Sequence, residues 1–342
     1  MTRPTIHDVA RVAGVSLSTV DRVLNDREGV REKTRSRVLE AIGNLGFERN
    51  LAAANLSRKR RYRLCFILPE GENSFMRALE ADLAEEAAAV LRDFTVIETR
   101  KVPAFDAGAL ADLLRSLDPE AVDGVAMVAT DATVVRIAVR ELRARGIAVV
   151  TLVSDLPGPE KQGFVGIDNV QAGRTAGSLL GRFCRGRNGR IALVSGSMLV
   201  RDHAERRLGF EQVLRTEFPD QTPLAPIEGR DDKDRVRAQL SAQLAEYPDI
   251  IGVYSMGAGN RGVAEALADL PPGRDVAVVV HELTPYSREA LLDGTFDAVL
   301  HQNSRREVQG AIALLRGLLD DQTPPPSVEP IRVEIYMRDN LP

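Results

Sequence analysis

Hydrophobic positions along this chain change their period near residue 61. Before that point they recur at helical spacing: Ile6, Val9, Ala10 and Ala13, then Val20, Val23 and Leu24, then Thr34, Val38, Ala41, Ile42 and Leu45. From Tyr62 onward, short β-branched runs alternate with longer segments of helical period. The expected strands are Arg63–Ile67, Thr95–Glu98, Gly124–Val128, Ala148–Leu152, Arg190–Val194, Ile251–Tyr254, Ala277–Val280 and Ala298–His301, with a last strand in Ile331–Tyr336. Helices are expected between most of them, among others at Ser74–Leu91, Thr133–Arg145, Gln171–Phe183, Asp202–Thr216, Lys233–Glu246 and Gly259–Leu267. Such alternation predicts parallel sheets covered on both faces. The strands exceed what one doubly wound sheet usually holds, so two lobes are expected, parting near Gly163–Asp168; one large α/β domain is the alternative.

In the first segment Thr5 is placed to cap a helix, Gly14 to end it in the left-handed conformation, and Ser16 to cap the next. That leaves Leu17, Ser18, Asp21, Arg22 and Asn25 on an outer face, the helix-turn-helix shape that enters a DNA major groove. Pattern alone reads equally as a plain helical hairpin. A third amphipathic helix over Glu32–Leu45 closes a three-helix core, too small to be robust without a partner or DNA.

Charge sharpens this division. The 342 residues carry a net charge of −4, but residues 1–61 hold 13 Lys/Arg against 7 Asp/Glu, so the rest is strongly acidic. A basic head on an acidic body favours DNA contact through the head. The run Arg58–Arg61 marks the boundary, where a basic linker adds salt-dependent phosphate attraction. No apolar signal segment opens the chain and no run of about 18 uncharged apolar residues occurs, so a cytoplasmic, nucleoid-associated protein without membrane contact is expected. Cys65 and Cys184 stand apart with no metal-ligand spacing and read as reduced structural thiols.

Ligands of open α/β sheets bind at the carboxyl ends of the strands, and the chain places polar residues there. Pro69–Phe75, Ser154-Asp155, His203–Arg206, His281-Glu282 and Gln302-Asn303 each follow an expected strand. Polar residues often end strands singly; their convergence on one cleft would suit a polyhydroxylated ligand. A competing motif is Gly257-Ala258-Gly259-Asn260-Arg261-Gly262, a G-x-G-x-x-G after a strand with Glu282 further on, which matches a dinucleotide fingerprint on paper. It lies in mid-body, not at a first βα turn, and glycines there equally allow close helix packing. No G-x-S-x-G or H-E-x-x-H motif is present, and no cofactor or catalytic residue is assigned.

The stretches T-I-H-D-V-A-R-V-A-G-V-S-x-S-T-V-x-R-V-L-N, V-R-E-K-T-R-x-R-V, L-G-F-E-R-N and L-A-A-A-N-L-S-R-K resemble, without a gap from Thr5 to Lys59, the headpiece of LacI/GalR-type bacterial transcription regulators. The resemblance implies that Leu17, Ser18 and Arg22 read base edges and that Ser16, Thr19, Asn25 and Asn50 hold phosphates, with Thr5 also among the DNA-contacting residues. It implies a hinge helix over Asn50–Arg58, ordered on operator DNA, whose Ala53 and Leu56 enter the minor groove. Asp21 departs from the pattern, which usually has a small polar residue there. The body resembles the periplasmic sugar-binding-protein fold through F-V-G-I-D-N at Phe164–Asn169, R-R-L-G-F at Arg206–Phe210, H-E-L-T at His281–Thr284 and H-Q-N at His301–Asn303. By that resemblance Phe75, Asp155, Arg206, Glu282 and Gln302 line an effector pocket, Glu282 standing where relatives often have Asp. Ser255 and Met256 stand where relatives often carry an Asn.

The expected protein is therefore multi-domain. An all-α helix-turn-helix headpiece (1–49) and a hinge helix and linker (50–61) precede a two-lobed α/β periplasmic-binding-protein-like domain with parallel sheets (62–342). The first lobe is expected over 62–163 and 293–326, the second over 164–292 and 327–342, with Gln322–Ser327 as a surface crossover. The expected partners are double-stranded operator DNA, a sugar or polyol effector, and a second copy of the chain, since no heptad tail is present for a tetramer. The alternative is a nucleotide- or sugar-dependent enzyme with an appended DNA-binding head.

Overall fold

Residues 4–24, 29–45, 61–320 and 330–342 are described by the computed structural model, and the chain divides at Arg61/Tyr62 into two units. The expected hinge helix, the Arg58–Arg60 part of the basic run and the Gln322–Ser327 crossover lie outside the described residues.

The first unit holds α1 (Ile6–Ala13), α2 (Leu17–Leu24) and α3 (Glu32–Leu45). Thr5 and Asp8 cap α1 reciprocally, and Arg11 joins Asp8 at 2.7 Å. These hydrogen bonds, Arg11's first, hold the Asp8 carboxyl at about 2. Gly14 ends the helix at φ 61°, a conformation that costs a residue with a Cβ. The Arg37 guanidinium of α3 then bonds the carbonyls of Ala13 and Gly14, tying the turn to the third helix. Val9, Ala10, Ala13, Val20, Val23, Val38 and Ala41 form the core.

The second unit contains two sheets. In the first, β1 (Tyr62–Pro69), β2 (Thr95–Val102), β3 (Gly124–Met127), β4 (Ala148–Leu152) and β5 (Gly163–Val165) run parallel in the order β2-β1-β3-β4-β5. Strand β1 shows why both faces are covered. Tyr62, Leu64, Phe66 and Leu68 point to one core with α4 (Ser74–Val90), while Cys65 and Ile67 point to another with α5 (Ala107–Ser116) and α6 (Thr133–Ala144).

The second sheet joins β6 (Gly189–Ser195), β7 (Gln221–Pro223), β8 (Ile227–Glu228), β9 (Ile250–Ser255), β10 (Ala277–His281), β11 (Ala298–His301) and β12 (Glu334–Tyr336). Its order is β12-β11-β10-β9-β6-β7, with β8 also on β6 and only β12 antiparallel. One face packs on α7 (Asn169–Phe183) and α8 (Arg201–Glu217). The other packs on α9 (Lys233–Glu246), α10 (Asn260–Ala268) and α11 (Pro285–Leu292).

The lobe boundary expected at residue 293 is displaced. Strand β11 pairs with β10 in the second sheet, so the chain returns to the first lobe only after His301, where α12 (Ser304–Leu319) packs against the first sheet. A run of 293–326 assigned whole to the first lobe overlooked that Ala298–Leu300 completes the buried hydrophobic centre of the second. Strands β5, β7 and β8, of two or three residues each, were not among those expected, being too short to carry a period.

Candidate functional site

The headpiece presents its outer face through simple helix geometry. Leu17 is 40% exposed at the start of α2, Ser18 and Arg22 are exposed beside it, and Val20 and Val23 are buried behind. The hydroxyl of Ser16 lies 2.9 Å from those of both Ser18 and Thr19 and accepts from the Thr19 amide at 3.2 Å, so it caps α2 as expected. The Thr5 hydroxyl is engaged by Asp8 in the α1 cap. The expected contacts Asn25, Asn50, Ala53 and Leu56 lie outside the described residues.

In the second unit, the carboxyl ends of both sheets open on one cavity of about 620 Å³, a size suited to a small ligand. Phe75, Arg206, Glu282 and Gln302 all line it. Helix α8 brings Arg206 there because α7 and α8 pack backbone to backbone. A Cβ on Gly173 would stand 1.9 Å from the Arg206 carbonyl oxygen, and one on Gly209 would stand 2.0 Å from that of Val170. The buried Arg206 guanidinium donates from Nε to Asn169 Oδ1 at 2.8 Å and from Nη1 to the Met256 carbonyl at 2.7 Å. Its Nη2 is left without a partner among the described residues.

Glu282 adopts φ 73°, which costs about 1–3 kcal/mol for a residue with a side chain. Gln302 donates to its Oε1 at 2.8 Å, and His301 Nδ1 lies 3.0 Å from its Oε2. Burial alone would lower the His301 pKa, but the Glu282 hydrogen bond and charge, with Glu334 beyond, raise it. The neighbouring His281 is the reverse: burial, then Arg206 and His203, push its pKa well below the usual value. Burial also raises the Tyr254 phenol, whose hydroxyl lies 2.9 Å from His281 Nε2.

Asp155, expected among the lining, is not part of the cavity wall. Its carboxylate accepts from Thr151 Oγ1 at 2.6 Å, the Leu156 amide at 2.8 Å and Lys161 Nζ at 3.0 Å. Val153, at φ 63°, turns the loop so that Val153 and Ser154 face the cavity instead. Sequence reasoning missed Asp202, Phe105, Asn260 and Asp231, which also line it. Asp231 follows a two-residue strand, which left no pattern to mark its carboxyl end. Asn260 is committed within the wall, accepting from Ser255 Oγ and donating to the His281 carbonyl, both at 2.7 Å.

Among the described residues, five non-glycine residues with positive φ line this cavity: Phe105, Val153, Arg230, Asp231 and Glu282. Five of its buried polar atoms lack a hydrogen-bond partner among the described residues: Ser154 Oγ, Asp202 Oδ1, Arg206 Nη2, Asp231 Oδ1 and Gln302 Oε1. Strain and unpaired polar groups concentrated at one place are the usual mark of a binding site. Four of the five can accept a hydrogen bond and one is a cationic donor, a set that matches hydroxyl groups. The glycines of the G-x-G-x-x-G motif have packing roles. A Cβ on Gly262 would stand 2.0 Å from the Lys233 carbonyl oxygen, and one on Gly257 2.8 Å from His203 Nε2.

Residues 64–323 match the profile of a family described as periplasmic binding protein domain, and residues 5–50 that of bacterial regulatory proteins, lacI family. The chain is 29% identical over 212 residues to catabolite control protein A of Streptococcus mutans, covering 62% of this chain and 60% of that one. It is 32% identical over 213 residues to the HTH-type transcriptional regulator AglR of Rhizobium meliloti, covering 61% of this chain and 57% of that one. The matched stretch thus spans no more than 60% of the length of either relative. In fold, the chain is similar to GanP, described as a glucose-galactose binding protein from Geobacillus stearothermophilus. The TM-score is 0.75 at 20% identity, covering 83% of this chain and 99% of that one.

Proposed function

The chain belongs to the lacI family of bacterial regulatory proteins, and from that premise we propose that it is a DNA-binding transcriptional regulator, a repressor, controlled by a sugar or polyol. The observation that carries the ligand half is the set of five unpaired buried polar atoms around one cavity of about 620 Å³. Buried polar groups without partners cost free energy that a hydroxylated ligand recovers. Phe75 offers an apolar face for a sugar ring, Arg206 Nη2 donates to a hydroxyl oxygen, and the Asp202, Asp231 and Gln302 oxygens accept hydroxyl protons. Carboxylates beside Arg206 disfavour an anionic ligand such as a sugar phosphate.

On the DNA side, two copies place their α2 helices in adjacent major grooves of a pseudo-palindromic operator. Leu17 and Ser18 contact base edges and Arg22 forms a bidentate pair with guanine, while Ser16 and Thr19 exchange their mutual hydrogen bonds for phosphate oxygens. Thr5 acts at the capped start of α1, and Asn25, Asn50, Ala53 and Leu56 complete the interface. The protein works in the cytoplasm, as a dimer, without catalysing a reaction. Ligand binding changes lobe closure, which alters operator affinity; by linkage operator changes ligand affinity by the same factor.

The test begins with selection of operator sequences from random DNA, followed by anisotropy with the winning site. Arg22→Ala is expected to cost about 1–3 kcal/mol of base discrimination while non-specific binding persists. Thermal unfolding against D-glucose, D-galactose, other sugars, polyols, sugar phosphates and NAD then identifies the effector. A ligand at a hundredfold excess over its Kd stabilises by about 2.7 kcal/mol. A neutral sugar or polyol hit that also shifts operator affinity is the expected result; stabilisation by NAD alone, or a hit without effect on DNA binding, overturns the reading.

A further inference from the structure

The mouth of the cavity is bridged by the protein itself. Asn73, at the start of α4 in the first lobe, uses both ends of its amide. Oδ1 accepts from the Phe75 amide at 3.0 Å and the Met76 amide at 3.2 Å, capping the helix, and Nδ2 donates across the cleft to Asp231 Oδ2 at 2.8 Å. Asp231 belongs to the second lobe, in the loop between β8 and α9, where Arg230 and Asp231 both hold positive φ, at 50° and 60°. From the first lobe Phe105, also at positive φ, reaches the same place. A Cβ on Gly196 of the second lobe would stand 2.6 Å from Asp231 Oδ1 and 3.1 Å from the Phe105 ring. A further bridge runs from the Asp131 amide to the Leu199 carbonyl at 3.2 Å.

Strained residues from both lobes, meeting over a glycine that leaves them room, need something to hold them there. We propose that Asn73 and Asp231 form a latch that holds the cleft closed before any effector enters. The latch sets the fraction of protein in the closed form, and the apparent affinity of a closed-form ligand scales with that fraction. The amide that orients Phe75 is the same one that senses the opposite lobe, so opening the cleft releases Asp231 while leaving the α4 cap intact. This regulation rests on the reading of the cleft as the effector site.

The experiment exchanges donor and acceptor. Asn73→Asp keeps a strong N-cap for α4 but sets a second carboxylate against Asp231, so like charges face each other across the mouth. Asp231→Asn in the same chain restores a donor and an acceptor with their places reversed. Nitroxide labels at Asp112→Cys on α5 and Asp269→Cys after α10 are exposed, one per lobe, while Cys65 and Cys184 are buried. Pulsed electron resonance on the full-length, ligand-free protein, spin-diluted with unlabelled chains, reads their separation. The N73D distribution shifts to longer distance, D231N alone shifts less, and the N73D/D231N double variant returns toward wild type. An unchanged distribution in N73D, or a double variant as open as N73D, overturns the latch. If the distances respond but none of the sugars and polyols binds, the latch stands and the effector reading falls.

Discussion

The headpiece and the body solve the presentation of functional groups in opposite ways. Leu17, Ser18 and Arg22 reach solvent because α2 is a helix with Val20 and Val23 buried on its other side, so one short periodic segment defines the face. The cavity of the body is assembled from residues as distant as Phe75, Arg206 and Gln302, each on or beside a different element. A face made by periodicity survives loss of much of its surroundings, while a cavity made by convergence depends on packing far from the groups themselves. The cores differ accordingly: among the described residues, seven buried side chains hold the headpiece, and four extended clusters hold the body.

The sharpest way to break this contrast is Gly173→Ala. The new methyl would meet the Arg206 carbonyl backbone at 1.9 Å, so α7 and α8 must move apart. We expect a loss of about 3 kcal/mol in chemical denaturation of the body, together with loss of effector binding, while non-specific DNA binding through the head is retained. A stability change within about 0.5 kcal/mol would show that the close helix contact is not what places Arg206.

Val38→Ala makes the complementary cut. Val38 is wholly buried in the headpiece, and its truncation should cost about 2 kcal/mol of a small core. Hydrogen exchange in the full chain should show faster exchange over residues 4–45 and unchanged protection in the sheets of the body. Equal loss in both would mean that the two units do not unfold separately.

The smallest effect concerns Glu307 on α12, wholly buried with neither carboxyl oxygen bonded to a described residue. Burial first, then the charges of Glu282 and Asp202, against the opposing pull of Arg206, push its pKa well above the usual carboxylate range. A raised folded-state value means that this group's stability contribution is full below the ordinary glutamate pKa and is lost as pH rises through the folded value. Glu307→Gln should therefore match wild type under acid conditions and become progressively the more stable as pH rises. Tm measured for both proteins from about pH 4 to about pH 9 reads the divergence. Parallel curves would show that Glu307 ionises without cost.

Much of the molecule was legible in advance where a signal is local. The Thr5 and Ser16 caps, the Gly14 turn, the inward stripe of the headpiece and nine of the strands among the described residues follow from period and capping chemistry within a few residues. Phe75, Arg206, Glu282 and Gln302 were named through resemblance, and the structure places all four in the wall of one cavity. Asp155 was not so placed, because the positive φ of Val153 rotates the loop before it, and no property of the residue types announces that rotation.

By itself, the sequence determined that a basic three-helix head precedes an acidic α/β body, since helix period, strand alternation and charge are properties of neighbouring residues. Only the tertiary structure decided that β11 belongs to the second sheet, that Ser154 replaces Asp155 in the wall, and that Asn73 reaches Asp231 across 158 residues of chain. Those outcomes depend on backbone turns and on which strand edges meet, and such long-range pairings leave no trace in the local pattern of side chains.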